Sequence, residues 1–235
     1  MPDSVLYALL VVLGVLPSVI WLAVWLKKDC HPEPKVLIVK TLLMGIILSP
    51  LAIVFQLIFA RQFLGTTEGP VFYLWASFVE EVVKFWAVAA IALRSQEMDE
   101  PVDMMIYLLT AALGFAAMEN ILVLSRTVPD GISATVGIWG LRFAGATLLH
   151  LLSSALLGYF VALGWFWHRH RTRLFAVGLI FATLVHWVFN LFISSVDQGV
   201  SLGFSTLLLI ALAFLVSALF DKIKRRQAIG APLTA

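Results

Sequence analysis

The residues in this sequence best suited to chemistry are carboxylates, imidazoles and amides that lie inside long apolar stretches. They are Glu80, Glu81, Glu119, Asn120, His150, His186 and Asn190, with Lys84 beside the glutamate pair. A buried glutamate can act as a general base towards water, and histidine or asparagine can orient reactants or donate hydrogen bonds to a developing oxyanion. Ionisable groups at membrane depth are costly and usually functional. The set therefore predicts hydrolysis inside a membrane, with Lys84 and Asn120 in supporting roles.

The composition indicates which elements must position these residues. Of 235 residues, 61% are hydrophobic and only 13% are charged, against about 25% charged in a typical soluble domain. One soluble core of this size cannot hide so much apolar surface. This excludes a soluble globular domain, a disordered chain and a nucleic-acid binder. The single cysteine, Cys30, excludes an intrachain disulfide and a CxxC metal site, and we expect no function for Cys30 and His31.

Seven stretches are long and apolar enough to cross a bilayer, which takes roughly 20 residues each. We place the spans near residues 4–26, 36–60, 71–93, 103–125, 140–166, 174–195 and 201–220. The connectors are too short to hold a second domain. The sequence thus predicts an all-α polytopic membrane protein, with one transmembrane catalytic domain over residues 1–221 bundled around a polar cavity. Residues 222–235 form a basic cytoplasmic tail.

The basic residues outside the spans separate between the two sides of the membrane. Two lie on one side, Arg61 and Arg126. Eleven lie on the other side: Lys27, Lys28, Lys35, Arg94, Arg169, Arg171, Arg173, Lys222, Lys224, Arg225 and Arg226. By the positive-inside rule the side with eleven is cytoplasmic. We therefore expect a multi-pass protein of a bacterial cell (inner) membrane, with its N-terminus extracytoplasmic and its C-terminus cytoplasmic.

Depth arguments predict that the polar residues converge. At about 1.5 Å per residue, Glu80 and His186 lie roughly 13 Å below the outer edges of their spans, Glu119 about 9 Å and His150 about 15 Å. Four antiparallel helices thus carry polar groups in one slab, slightly outside the midplane. In contrast, we expect Lys40 and Arg142, which lie near span ends, to snorkel to an interface.

A metal-assisted site is an alternative to a metal-free one. His150, His186 and Glu81 would make an open zinc site with a fourth position for water. Because no HExxH motif is present, we favour a mechanism without a cofactor and keep zinc as the alternative.

Five segments in order resemble the PrsW family of intramembrane proteases. They are DCHPEP (29–34), VEEVVKF (79–85), GFAAMEN (114–120), His150 followed by Ser153 and Ser154, and HWVFN (186–190). The wider group of CAAX and bacteriocin-processing proteases, to which that family is similar, commonly has an arginine in an EExxxR motif. Here Phe85 follows Lys84, so CAAX-type substrates are not expected.

The resemblance implies an endopeptidase that cuts membrane-anchored protein substrates, such as anti-sigma factors, near the outer face. Glu80 and Glu81 would be the paired catalytic glutamates, His150 and His186 the catalytic histidines, and Asn190 the oxyanion partner. An alternative from the residues alone is a proton- or ion-coupled transporter, because buried Glu and His also serve as relays. A non-catalytic scaffold is a third hypothesis. No internal repeat typical of transporters is evident.

Overall fold

The structure is a computed structural model that describes residues 3–29, 31–195 and 198–229. Eight α-helices and no strand occur in these residues. The helices are α1 (Asp3–Trp25), α2 (Lys35–Phe59), α3 (Pro70–Ile91), α4 (Asp103–Thr127), α5 (Ile132–Leu141), α6 (Thr147–Phe166), α7 (Arg171–Ser195) and α8 (Gln198–Ala228). Cys30 and the last part of the expected tail, residues 230–235, lie outside the described residues.

Six helical segments are long and apolar enough to cross a membrane. They are Val5–Lys28, Lys35–Leu64, Asp103–Asp130, Ile132–Phe166, His168–Ser194 and Ser201–Ala228. Helix α3 has 22 residues, or about 33 Å, and is more polar because it carries Glu80, Glu81 and Lys84. It packs against α2, α4 and α7. The chain is therefore an all-α, multi-pass membrane protein, which confirms the predicted fold class.

Two helix boundaries differ from the sequence-based expectation. The fifth apolar segment begins at Ile132 rather than near residue 140, and a π-helical turn at Arg142–Ala146 joins α5 to α6. Helix α8 continues to Ala228, so the first half of the expected tail is helical. Basic side chains in a last helical turn interact favourably with the helix dipole, and Lys224 Nζ also donates to the Lys28 carbonyl at 3.0 Å.

Helix α4 is the centre of the bundle. Every residue from Asp103 to Ala117 is buried, and α1, α2 and α6 pack around it. Glycines allow this close packing: a Cβ on Gly114 would lie 2.0 Å from the Leu42 carbonyl oxygen, and one on Gly45 would lie 2.2 Å from that of Ala111. Such close crossings of small residues are typical of helix pairs in membranes.

The connectors that carry the basic residues meet at one end of the bundle. There α1, α3, α6 and α8 end, and α2, α4 and α7 begin. His31 Nδ1 lies 2.7 Å from Glu100 Oε1, Lys28 Nζ donates to Ser217 Oγ at 2.7 Å, and Arg226 lies over the Trp167 ring. We call this end, defined by the helix termini above, the basic end.

Candidate active site

Glu81 is the best-satisfied carboxylate of the polar centre. Its Oε1 accepts hydrogen bonds from Lys84 Nζ at 2.7 Å and Ser153 Oγ at 2.9 Å, and lies 3.0 Å from His186 Nδ1. Its Oε2 accepts from Ser154 Oγ at 2.7 Å. Glu81 and Lys84 are completely buried. Because a buried charge needs this degree of pairing, Glu81 acts as an anchor that joins α3, α6 and α7.

Glu80, the neighbouring residue, has a contrasting environment. Its Oε1 accepts one hydrogen bond from Gln56 Nε2 at 2.9 Å, while its Oε2 is buried without a hydrogen-bond partner. That oxygen lies 3.4 Å from His186 Nε2 and 3.9 Å from His150 Nδ1. Buried polar atoms in native proteins are nearly always satisfied, so this atom marks a place where a proton, a cation or a reactant belongs.

The two histidine rings stand at 89° to each other with centroids 4.9 Å apart. His150 Nδ1 lies 2.9 Å from Lys84 Nζ, and its Nε2 lies 2.9 Å from Glu119 Oε2. Since an ammonium group only donates, Nδ1 accepts from Lys84 and Nε2–H donates to Glu119. By the same logic His186 Nδ1–H donates to the Glu81 carboxylate, which leaves the lone pair on Nε2 facing Glu80.

Glu119 is held between His150 and an arginine. Arg142 Nη2 lies 3.0 Å from Glu119 Oε2, and Arg142 Nε donates to Asn120 Oδ1 at 2.5 Å. Asn120 Nδ2 in turn donates to Thr147 Oγ1 at 3.0 Å. The expectation that Arg142 snorkels to an interface is therefore wrong. Arg142 begins the π-helical turn, and from there its side chain joins the polar centre.

Asn190 lies on α7, one helical turn from His186. Its Nδ2 donates to Ser77 Oγ at 3.3 Å, so it contacts α3 one turn before the glutamate pair. Within the described residues, no side-chain hydrogen bond joins Asn190 to Glu80, Glu81 or either histidine. The structure thus joins six of the eight predicted residues in one hydrogen-bonded network. It places Glu80 beside that network, with Oε2 3.4 Å from His186 Nε2, and leaves Asn190 at its margin.

Three of these residues could hold a metal ion together. One ligand atom each from Glu80, His150 and His186 lie within 4.8 Å of one another, and all three residues are buried. Two imidazoles and a carboxylate are a common donor set for zinc sites that keep an open position. The glutamate differs from the alternative considered from sequence, which used Glu81, because the four donors around Glu81 occupy its oxygens.

Sequence reasoning missed two contributors to this network. Gln56 of α2 reaches Glu80, and Arg142 reaches Glu119 and Asn120. A glutamine inside the otherwise apolar α2 was the available signal for the first. For the second, the signal was an arginine eight residues before His150, but its side-chain direction depends on the π-helical turn.

Comparisons with known proteins identify the family of this chain. Residues 33–219 match the family model described as PrsW family intramembrane metalloprotease, and this range includes every residue of the network. No solved structure matches the chain at a significant level.

Curated relatives cover most of the chain and most of their own length. The protein "Protease PrsW" of Geobacillus kaustophilus (strain HTA426) is 26% identical over 75% of this chain and 76% of its own. Those of Oceanobacillus iheyensis and Bacillus subtilis (strain 168) are 23% and 21% identical over 86% and 80% of this chain, and over 87% and 84% of their own. The chain therefore belongs to the PrsW family and is an intramembrane protease.

Proposed function

We propose that this protease hydrolyses a peptide bond of membrane-anchored protein substrates with a water molecule that Glu80 activates. The observation that carries the proposal is Glu80 Oε2, a buried carboxylate oxygen that has no hydrogen-bond donor. It faces two imidazole nitrogens at 3.4 and 3.9 Å. A general base needs a free lone pair within reach of its proton, and among the two adjacent glutamates only Glu80 offers one.

The neighbouring groups then have positioning roles. Glu81 holds His186 through Nδ1 and Lys84 through Nζ, so it fixes the imidazole without reacting itself. Glu119 holds His150 in the same way through Nε2. Carboxylates that orient a histidine ring from behind fix its tautomer and direct its other nitrogen at the reactant. His186 therefore presents the lone pair of Nε2 towards Glu80 Oε2 at 3.4 Å, whereas the lone pair of His150 Nδ1 accepts from Lys84 Nζ.

Asn190 serves as the oxyanion partner in this proposal. It lies on the same helix as His186 and one turn from it, and its only hydrogen bond in the described part of the chain is a long one to Ser77. An amide that is weakly engaged before substrate binds can turn to a tetrahedral intermediate without losing a strong bond. One such donor is worth roughly 10²–10³ in kcat in other hydrolases.

The residues present also fit a zinc ion. Glu80, His150 and His186 would hold it, and the unpartnered Oε2 is the atom that a cation would satisfy. When bound, zinc supplies a Lewis acid that polarises a carbonyl and makes water more acidic. Glu81 and Glu119 accept from the far N–H of His186 and His150 and orient the two rings in either case. The family description names a metalloprotease, which supports a metal-bound form over the metal-free form that the sequence favoured.

The location of the cut follows from topology. Eleven basic residues at the basic end support a cytoplasmic orientation of that end, so the N-terminus is extracytoplasmic and the catalytic network lies in the outer half of a bacterial cell membrane. Substrates with a single span and an extracytoplasmic segment, such as anti-sigma factors, suit that depth.

The test uses the full-length purified protein and a single-span reporter substrate. Glu80→Gln should abolish cleavage while the protein remains folded, because glutamine can neither accept the proton in the metal-free form nor supply a carboxylate ligand in the zinc form. Glu68→Gln, an exposed glutamate in the α2–α3 connector, is the matched control and should cleave normally. Full activity of Glu80→Gln would overturn the role of Glu80.

Elemental analysis of the same preparations separates the zinc form from the metal-free form. We expect one zinc per active chain, and we expect His150→Ala and His186→Ala to lose it. An active protein without zinc, insensitive to chelators, would return the proposal to the metal-free form. The metal content is measured independently of activity, so the presence of zinc and the role of Glu80 are tested separately.

A further inference from the structure

A pocket lies at the basic end, separate from the catalytic network. Its volume is about 520 Å³, within the range of about 300–1,000 Å³ of small-molecule sites. Phe85 of α3, Val161 and Trp165 of α6 and Phe175 of α7 give it apolar walls, and Arg171 stands at the start of α7. No residue of the catalytic network lines it, so any ligand here would serve a different purpose from hydrolysis.

Arg171 is fixed at this pocket by a specific contact. Its Nε donates to the Gly164 carbonyl at 3.0 Å, and Gly164 makes room for it, because a Cβ there would lie 3.0 Å from Arg171 Cγ. Arg171 has no acidic partner in the described part of the chain, and its side chain is exposed. The remaining guanidinium N–H groups are therefore available, in a planar fork that suits phosphate oxygens.

The size of the pocket selects among membrane ligands. A helix with its side chains is about 10–12 Å across, so 520 Å³ would hold only about one turn of a substrate helix. A narrow flexible chain fits such a volume much better. The walls are apolar and the one charged group is cationic, which calls for an anionic head joined to an apolar tail.

We propose that this pocket binds one anionic glycerophospholipid, with the phosphate on Arg171 and an acyl chain against the wall formed by Phe85, Val161 and Phe175. Basic pockets between transmembrane helices at the cytoplasmic surface are suited to anionic lipid headgroups. Trp165, a third of whose surface is exposed, marks the interface because tryptophan concentrates at headgroup level. The acyl chain would cover the ring pair of Phe85 and Phe175, whose centroids lie 4.6 Å apart and which joins α3 to α7 at this pocket.

The experiment titrates phosphatidylglycerol or phosphatidylcholine into the full-length protein in detergent and follows the first bound lipid by native mass spectrometry. We expect phosphatidylglycerol to bind more tightly than phosphatidylcholine. Arg171→Gln should weaken phosphatidylglycerol binding by at least about fivefold more than Arg173→Gln does. Arg173 is the matched control because it is exposed on the same helical turn and does not line the pocket.

Two further arms separate the lipid from other ligands. Val161→Trp fills the tail region, and it should weaken phosphatidylglycerol binding although Arg171 is intact. Thermal unfolding verifies that this variant is folded, and Val161→Phe replaces it otherwise. Inorganic phosphate should not displace the lipid. The proposal would be overturned if the two arginine variants weakened binding equally or if the two lipids bound with equal affinity. Displacement of the lipid by phosphate, or competition by a single-span substrate, would overturn it as well.

Discussion

At the scale of single residues, Glu80 and Glu81 are adjacent in sequence and both face His186, but they differ in their hydrogen bonds. Glu81 has four polar neighbours within 3.0 Å, whereas Glu80 has one hydrogen bond and a free oxygen. Successive residues on a helix point about 100° apart, so one carboxylate faces the α6 serines and the other faces Gln56 of α2. The same chemical group is thus an anchor at one position and, in the proposed mechanism, the reactive base at the next.

The first prediction is that the two Glu→Gln variants separate stability from activity. Glu81→Gln leaves Lys84 buried without its charge partner, which costs about 3–5 kcal/mol. Glu80→Gln keeps an oxygen for Gln56 and removes a charge that had no donor at Oε2, so we expect a loss under about 1 kcal/mol. Thermal unfolding in detergent measures both. Equal unfolding temperatures of the two variants would contradict this division of roles.

The second prediction concerns Arg142, which contacts Glu119 and Asn120. Arg142→Gln releases Glu119, and His150 then loses its orienting partner, so we expect kcat to fall at least about tenfold. Arg142→Lys keeps the charge beside Glu119 and loses the contact with Asn120. Its kcat should therefore lie between those of the wild type and Arg142→Gln. Lys40→Gln removes an exposed charge from α2 and is the control. Equal kcat for Arg142→Gln and Lys40→Gln would show that Arg142 has no positioning role.

At the scale of elements, the crossing of α2 and α4 depends on two glycines whose missing side chains allow backbone contact. We predict that Gly114→Ala destabilises the protein by about 1–3 kcal/mol, because its Cβ would overlap the Leu42 carbonyl and push α2 away. Gly137→Ala is the matched control: nothing lies within 4 Å of its Cβ, and alanine favours a helix by about 1 kcal/mol. Thermal unfolding should give opposite signs. A stable Gly114→Ala variant would contradict the described crossing.

The connector between α1 and α2 is tied to α4 by acidic residues. Tyr107 donates a hydrogen bond to the Glu33 carboxylate, and Asp29 Oδ1 accepts from the His31 backbone N–H at 3.0 Å. Burial raises the pKa of Glu33 and of Asp29 above their ordinary values, and neighbouring carboxylates add to the effect. Glu33 therefore fastens the α1–α2 connector to α4 at the basic end.

The fourth prediction follows from the raised pKa of Glu33. A carboxyl group with a raised pKa binds its proton more tightly in the folded state, so its contribution to stability is full at low pH and declines as pH rises through the raised pKa. Glu33→Gln cannot lose a proton, so the variant should gain unfolding temperature relative to wild type as pH rises. Glu68→Gln controls for the lost charge. A constant difference between Glu33→Gln and wild type at all pH values would contradict this view.

The elements also explain what could be predicted from sequence. Helix spacing and depth correctly predicted that α3, α4, α6 and α7 carry polar groups to one level, because a straight helix fixes position along its axis. The direction of a side chain around the helix axis was harder to predict from the sequence. The π-helical turn shifts the register before His150, so a regular helical wheel misplaces Arg142. The partner of Gln56 depends on the crossing of α2 over α3, which is a long-range contact that local periodicity does not encode.

At the scale of the whole molecule, the side of the membrane that the sequence assigns to the basic connectors corresponds to one end of the helix bundle. The connectors with eleven basic residues converge at the basic end through contacts such as His31 with Glu100 and Lys224 with Lys28. The α2–α3 connector, which carries Arg61, and the end of α4, which carries Arg126, lie at the opposite helix termini. A topology inferred from sequence charges therefore matches the alternation of the helices, and only the direction across the membrane needs a measurement.

The fifth prediction fixes that direction with the chain's only cysteine. Cys30 follows Lys27 and Lys28 in sequence and belongs to the first connector at the basic end. We expect a membrane-impermeant maleimide to leave it unlabelled in intact spheroplasts and to label it after lysis, because the positive-inside rule puts this connector in the cytoplasm. In a Cys30→Ser background, Thr66→Cys in the exposed α2–α3 connector should label before lysis. The reverse pattern would invert the topology and move the catalytic network to the cytoplasmic half of the bilayer, and it would thereby exclude cleavage near the extracytoplasmic face.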